Sequence, residues 1–117
     1  MSFKSNLINI VLVETSHPGN IGSVARAMKT MGLSCLSLVN PRKFPSGEAN
    51  ALSGNADDVL ENAQIFSSIE DAIKDSTFVY ATSSRSRTIQ WPTVHAEEGA
   101  SLINDQVTSD KKVSILF

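Results

Sequence analysis

Side chains able to do chemistry gather in three short stretches of this chain. They are residues 14–20 (ETSHPGN), which lead into IGSVARAMKTM; the group Asn40, Pro41, Arg42 and Lys43; and residues 83–87 (SSRSR). Glu14 is a lone carboxylate directly after an apolar run. It is placed either to act as an acid or base or to accept hydrogen bonds from loop amides. A glycine-containing turn that delivers the chain into a helix N-terminus aims backbone N–H groups at an anion or a polar backbone. The competing role is a tight turn with Asn20 as the helix cap. The turn lacks the Gly-Lys-Ser/Thr ending of a P-loop, and Gly19 and Gly22 do not make the G-x-G-x-x-G dinucleotide pattern. At about 100° per residue, Ile21, Val24, Ala25, Met28 and Met31 share one arc of the following helix, and Arg26 falls roughly 160° from its centre. Arg26 is therefore expected to point away from the domain's own core, toward solvent, a phosphate or a neighbouring subunit. Arg85 and Arg87 alternate with hydroxyls, a composition suited to phosphate oxygens or a ribose edge as well as to a solvated loop.

Other reactive types read as structural. His17 and His95 stand apart from any cysteine or carboxylate spacing that would bind a metal, so no metal site is expected. Cys35 lies in an apolar run and reads as a buried small hydrophobe, Met28 and Met31 as core fillers. Trp91 beside Pro92 reads as a packing anchor rather than a base-stacking platform.

Positioning these groups requires alternating strands and helices. Residues 7–13 (LINIVLV) form a nearly continuous β-branched run, as in a strand covered on both faces of a parallel sheet. A helix over 21–31 stops at Gly32, and further strands are expected at 33–39, 77–82 and 112–117. Helices are expected over 49–63, broken near Gly54, over 69–74 and over 96–107. Ser68 and Asp71 resemble a capping pair, and a short strand at 64–66 carries the weakest pattern. The fold class is α/β with a parallel sheet and right-handed crossovers, whose ligands bind beyond the carboxyl ends of the strands. All three polar stretches fall there.

Composition sets the remaining limits. The 117 residues have room for one domain, and 41% hydrophobic against 19% charged residues describes a folding chain rather than a disordered one. The net charge of −2 gives no global field for a polyanion, but it is unevenly distributed. Six of the ten bases (Arg26, Lys29, Arg42, Lys43, Arg85, Arg87) lie in the strand-end loops or the first helix, and six of the twelve acids lie within 57–75. A basic rim at the ligand edge is expected, against the simpler reading of a solvated surface. One cysteine excludes a disulfide framework and suits a reducing cytoplasm. No apolar stretch approaches the roughly 18 residues that span a bilayer, so no membrane role is expected. The run 113–117 is apolar to its last residue with no polar tail, the pattern of a cut chain.

The run VETSHPGNIGSVARAMKTMGLSCLSLVNP, with ATSSRSR and the terminal VSILF, resembles the N-terminal part of a SPOUT-superfamily methyltransferase of the SpoU/TrmH-like group. Within it the chain is most similar to the TrmJ-type tRNA 2′-O-ribose methyltransferases. The resemblance implies an α/β-knot fold acting as a homodimer, with S-adenosyl-L-methionine held in a C-terminal trefoil knot. A methyl group then passes to the ribose 2′-hydroxyl of a cytidine or uridine in tRNA; rRNA is the less favoured substrate. By motif match it implies Arg26 as the catalytic arginine, Asn20 and Glu14 as its companions, and Thr82, Ser83 and Ser84 as part of the cofactor wall. Arg85, Arg87, Arg42 and Lys43 would face RNA. The family's second motif, Gly-x-Glu, would begin just after Phe117, so the chain is expected to stop before the knot and to be inactive alone. Two alternatives stand beside this: a non-catalytic nucleotide- or RNA-binding α/β module, and a structural half-domain that completes its sheet with a partner.

Overall fold

The run INIVLV has no polar alternation because both of its sides are covered. In the computed structural model, which describes residues 5–45, 47–82 and 94–117, this run is strand β1 (Ile8–Val13). It pairs in parallel with β2 (Cys35–Val39) on one side and β5 (Val113–Leu116) on the other. β3 (Gln64–Phe66) joins β2 and β4 (Phe78–Ala81) joins β5, giving one parallel sheet in the order β3-β2-β1-β5-β4. The pattern at 64–66 is faint because β3 is an edge strand, with Gln64 and Ile65 exposed.

The connections are α1 (Pro18–Met31), α2 (Gly47–Leu52), α3 (Asp57–Glu61), α4 (Ile69–Ile73) and α5 (Ala96–Thr108). Ile8, Ile10 and Leu12 of β1 pack with Leu36 and Leu38 of β2 against Ile21, Ala25 and Met28 of α1, with α2, α3 and Val107 of α5 completing that layer. Val11 and Val39 face the other way, against Ala72 of α4. The α4 cap is as expected: Asp71 N–H donates to Ser68 Oγ at 3.2 Å.

On the α4 side a polar cluster crosses three strands. Asn9 Nδ2 donates to Ser114 Oγ (3.1 Å) and to Ala72 O (3.2 Å), while Ser37 Oγ donates to Asn9 Oδ1 (2.7 Å). Ser114 in turn bonds Ser76. Asn9, Ser37 and Ser114 are all buried. A buried carboxamide is tolerated only when its donors and acceptors find partners, so the cluster favours the strand register and α4 placement that satisfy them.

Three local expectations need correction. α1 begins at Pro18, with His17 at the cap position and no side-chain capping bond. Proline preset for the first helical position starts the helix earlier. Asn20 therefore lies in the first turn, exposed, and does not cap; its backbone N–H donates to His17 O at 3.0 Å. Met31 is 61% exposed rather than a core filler, because α1 terminates there: Gly32 at φ 78 turns the chain out of the helix. Cys35 is half-buried, its Sγ 3.5 Å from Asn6 O, since it opens β2 at the border of the sheet.

Candidate active site at the strand ends

The residues directly after β1 and β2 both adopt left-handed backbone conformations, Glu14 at φ 52 and Asn40 at φ 46. Each bends the chain away from its strand while its own amide continues the ladder: Glu14 N donates to Val39 O (2.8 Å) and Asn40 N to Phe66 O (3.0 Å). Asparagine tolerates this region, but glutamate rarely occupies it. The loops are also braced to one another. Asn40 Nδ2 donates to Ser67 O at 3.0 Å, and Arg42 N to Thr15 O at 3.4 Å. Glu14 is exposed, and among the described residues its carboxylate accepts no hydrogen bond from a loop amide.

Arg42 and Lys43 are exposed on the braced loop beyond β2, at the edge where a parallel sheet meets its ligands. At the end of β4, Thr82 completes the sheet by donating both its N–H and its hydroxyl to Leu116 O, each at 3.0 Å. Ser83, Ser84, Arg85 and Arg87 lie outside the described residues, as do Trp91 and Pro92.

Arg26 is exposed on α1. Its guanidinium meets no hydrogen-bond acceptor or carboxylate among the described residues, although its backbone carbonyl accepts from Thr30 Oγ1 at 3.1 Å. Eight positions beyond Pro18 at about 1.5 Å per residue, it stands about 12 Å along the helix from the strand-end loop. No hydrogen bond joins it to Glu14, Asn20 or Thr82. Lys29 does not belong to a free basic rim: its Nζ donates to Asp58 Oδ2 at 2.7 Å. That bond, with the lysine's charge, holds the Asp58 carboxyl below its ordinary value.

Two glycines mark how closely neighbouring elements approach α1, which the sequence did not signal. A Cβ on Gly22 would stand 2.1 Å from Ala49 O, so α1 and α2 cross at backbone contact. Gly54, expected only as a helix break, leaves open space beside the stem of Arg26, whose Cγ, Cδ and Nε are 3.7–3.9 Å from where a Cβ would be. The Ser-Gly pair at 53–54 was the available signal. Among the described residues no group of three His, Cys, Asp or Glu is placed to hold a metal, and no helix is long and apolar enough to cross a membrane.

Residues 7–116 match the SpoU rRNA Methylase family. The tRNA (cytidine/uridine-2'-O-)-methyltransferase TrmJ of Citrobacter koseri is 56% identical over 91 residues, covering 78% of this chain and 37% of that protein. The Sodalis glossinidius protein of the same name is 48% identical over 110 residues, covering 94% and 43%. The crystal structure of TrmJ from Z. mobilis ZM4 superposes with a TM-score of 0.87 at 38% identity, covering 93% of this chain and 48% of that one. The chain thus spans less than half the length of these relatives. With the family match running through every strand of the sheet, the chain belongs to the SpoU rRNA methylase family.

Proposed function

We propose that residues 1–117 are the N-terminal part of a single catalytic domain that transfers a methyl group to the ribose 2′-hydroxyl of cytidine or uridine in tRNA. The domain works in the cytoplasm as a homodimer, with S-adenosyl-L-methionine as the methyl donor. The observation that carries the reading is Arg26: an exposed arginine whose guanidinium is left unengaged among the described residues, on the helix that leaves the ligand edge. Its distance from the strand ends of its own chain suits a site completed by a second copy.

The hydroxyl at the end of β4 fits one wall of a nucleoside site. Thr82 has spent its hydroxyl proton on Leu116 O and keeps only acceptor capacity, which suits the hydroxyl or amino donors of an adenosyl group. Ser83 and Ser84 would extend that wall. When bound, the sulfonium supplies an electrophilic methyl and a neutral thioether leaving group. Arg26 orients the ribose hydroxyl and stabilises the alkoxide that develops as its proton passes to solvent water, with Asn20 and Glu14 as the polar groups on the approach. Guanidinium is effectively always protonated, so Arg26 donates hydrogen bonds rather than acting as the base. Arg42, Lys43, Arg85 and Arg87 bind phosphates.

Two measurements test this reading. In the full-length parent protein, Arg42→Ala with Lys43→Ala is expected to reduce the slope of log affinity for tRNA against log salt by about 1–2, since each neutralised phosphate contributes about 0.7–0.9. Affinity for the methyl donor should not change; an unaltered salt slope removes both residues from the RNA surface. In calorimetry the 117-residue chain alone should show no micromolar binding of S-adenosyl-L-methionine. Micromolar binding would place the whole cofactor site within this segment.

A further inference from the structure

Three positions on one flank of α1, Gly22, Arg26 and Lys29, at i, i+4 and i+7, share the helix side that faces α2, α3 and the turn between them. At the first, α2 crosses so closely that a Cβ on Gly22 would stand 2.1 Å from Ala49 O. At the last, Lys29 Nζ holds Asp58 Oδ2 of α3 at 2.7 Å. The turn between α2 and α3 is therefore anchored to α1 at both ends, and Arg26 lies between the anchors.

The turn is itself tightly built. Ser53 is fully buried, its hydroxyl bridging Asn50 O at 2.9 Å and Asp57 Oδ1 at 2.8 Å, and its carbonyl accepts from Ala56 N at 3.2 Å. Gly54 follows at φ 63, and the Arg26 stem from Cγ to Nε lies 3.7–3.9 Å from its unoccupied Cβ position. A methyl would just touch the stem, and a longer side chain would displace it. A solvated arginine samples many rotamers, whereas a group that acts on a reacting hydroxyl must hold one direction.

We infer that the Ser53–Gly54 turn is a positioning element for Arg26: it confines the stem so that the guanidinium projects in a fixed direction from α1, and position 54 is glycine because a side chain there would deflect it. The inference rests on the reading of Arg26 as the group that works on the ribose hydroxyl.

The test separates backbone strain from deflection. Asparagine tolerates the left-handed region, so Gly54→Asn in the full-length protein should keep the thermal midpoint while lowering kcat about 10–100-fold, the scale of a small misplacement. KM for tRNA and affinity for the methyl donor should stay within about twofold of the parent. The control is Gly32→Ala, which strains another left-handed glycine, at φ 78, with nothing within 4 Å of the new methyl. It should lower the midpoint and leave kcat alone. If Arg26→Ala is inactive while Gly54→Asn keeps full kcat, this inference fails and the role of Arg26 stands; if Arg26→Ala is itself fully active, both fall. A second measurement needs no turnover. In the 117-residue chain, the ¹⁵N heteronuclear NOE of Arg26 Nε should exceed that of Arg42 Nε and drop in Gly54→Asn. An Arg26 Nε as mobile as that of Arg42 overturns the proposal.

Discussion

Arg26→Ala in the full-length protein is expected to lower kcat by roughly 10²–10³-fold, the loss seen when a donor aimed at developing negative charge is removed, while methyl-donor affinity stays unchanged. The structure supports both halves. Arg26 lies on α1 and Thr82 at the end of β4, with no hydrogen bond between them, so the proposed cofactor wall loses no contact. The side chain is exposed and its guanidinium holds no partner among the described residues, so stability should change by no more than about 0.5 kcal/mol. Arg26→Lys keeps the charge but not the planar fork and should recover little activity. Steady-state kinetics with calorimetry on the same samples decides the matter. A variant with parental kcat refutes the assignment, and one that has lost the methyl donor moves Arg26 into the cofactor site.

The largest stability effect should come from Gly22→Ala. Its methyl would stand 2.1 Å from Ala49 O, a backbone atom of α2 that cannot rotate away. Either α2 retreats or α1 bends. Because Ile21 and Ala25, on either side of Gly22, are fully buried, both routes open the layer over β1 and β2. Overpacking against side chains costs about 1–3 kcal/mol, and rigid backbone belongs at or above the top of that range. For a domain of this size that is a fall of about 10 °C or more in thermal midpoint. Thermal denaturation of the isolated chain measures it, and a midpoint within about 2 °C of the native chain would show that the helices part freely. The same retreat would carry the Ser53–Gly54 turn away from Arg26, so activity should fall along with stability.

Gly22 shows where a sequence is mute. The apolar run at 8–13 announces a doubly covered strand because burial on both faces selects β-branched residues along its whole length. Helix stops are equally plain, since Gly32 supplies a left-handed residue after an amphipathic stretch. Gly22 falls within the expected helix, yet nothing there signals its contact with a segment 27 positions away; close approach leaves no local trace. The loop placement of Glu14, Arg42 and Lys43 was legible because polar residues cluster after apolar runs. The left-handed backbone of Glu14 was not, since nothing in its identity favours it. Lys29 looked like one more base of a rim. Its pairing with Asp58 depends on α3 folding back over α1, which charge counting does not see. Asn9 was hidden within an apolar run, its partners Ser37, Ala72 and Ser114 scattered over three other elements.

The place of β5 has a consequence for how the chain is made. β5, which follows the other four strands of the sheet in the chain, is the strand that fits between β1 and β4. The Asn9 to Ser114 bond closes a loop of 105 residues. Until residues 113–117 emerge from the ribosome, β1 has pairing groups exposed along one side, β4 has no neighbour, and the Asn9 carboxamide lacks one of its partners. Local contacts among β1, α1 and β2 can form early, but the sheet cannot close progressively from the N-terminus. Its central joint waits for a long-range closure of the kind that slows folding and leaves strand edges open to wrong partners.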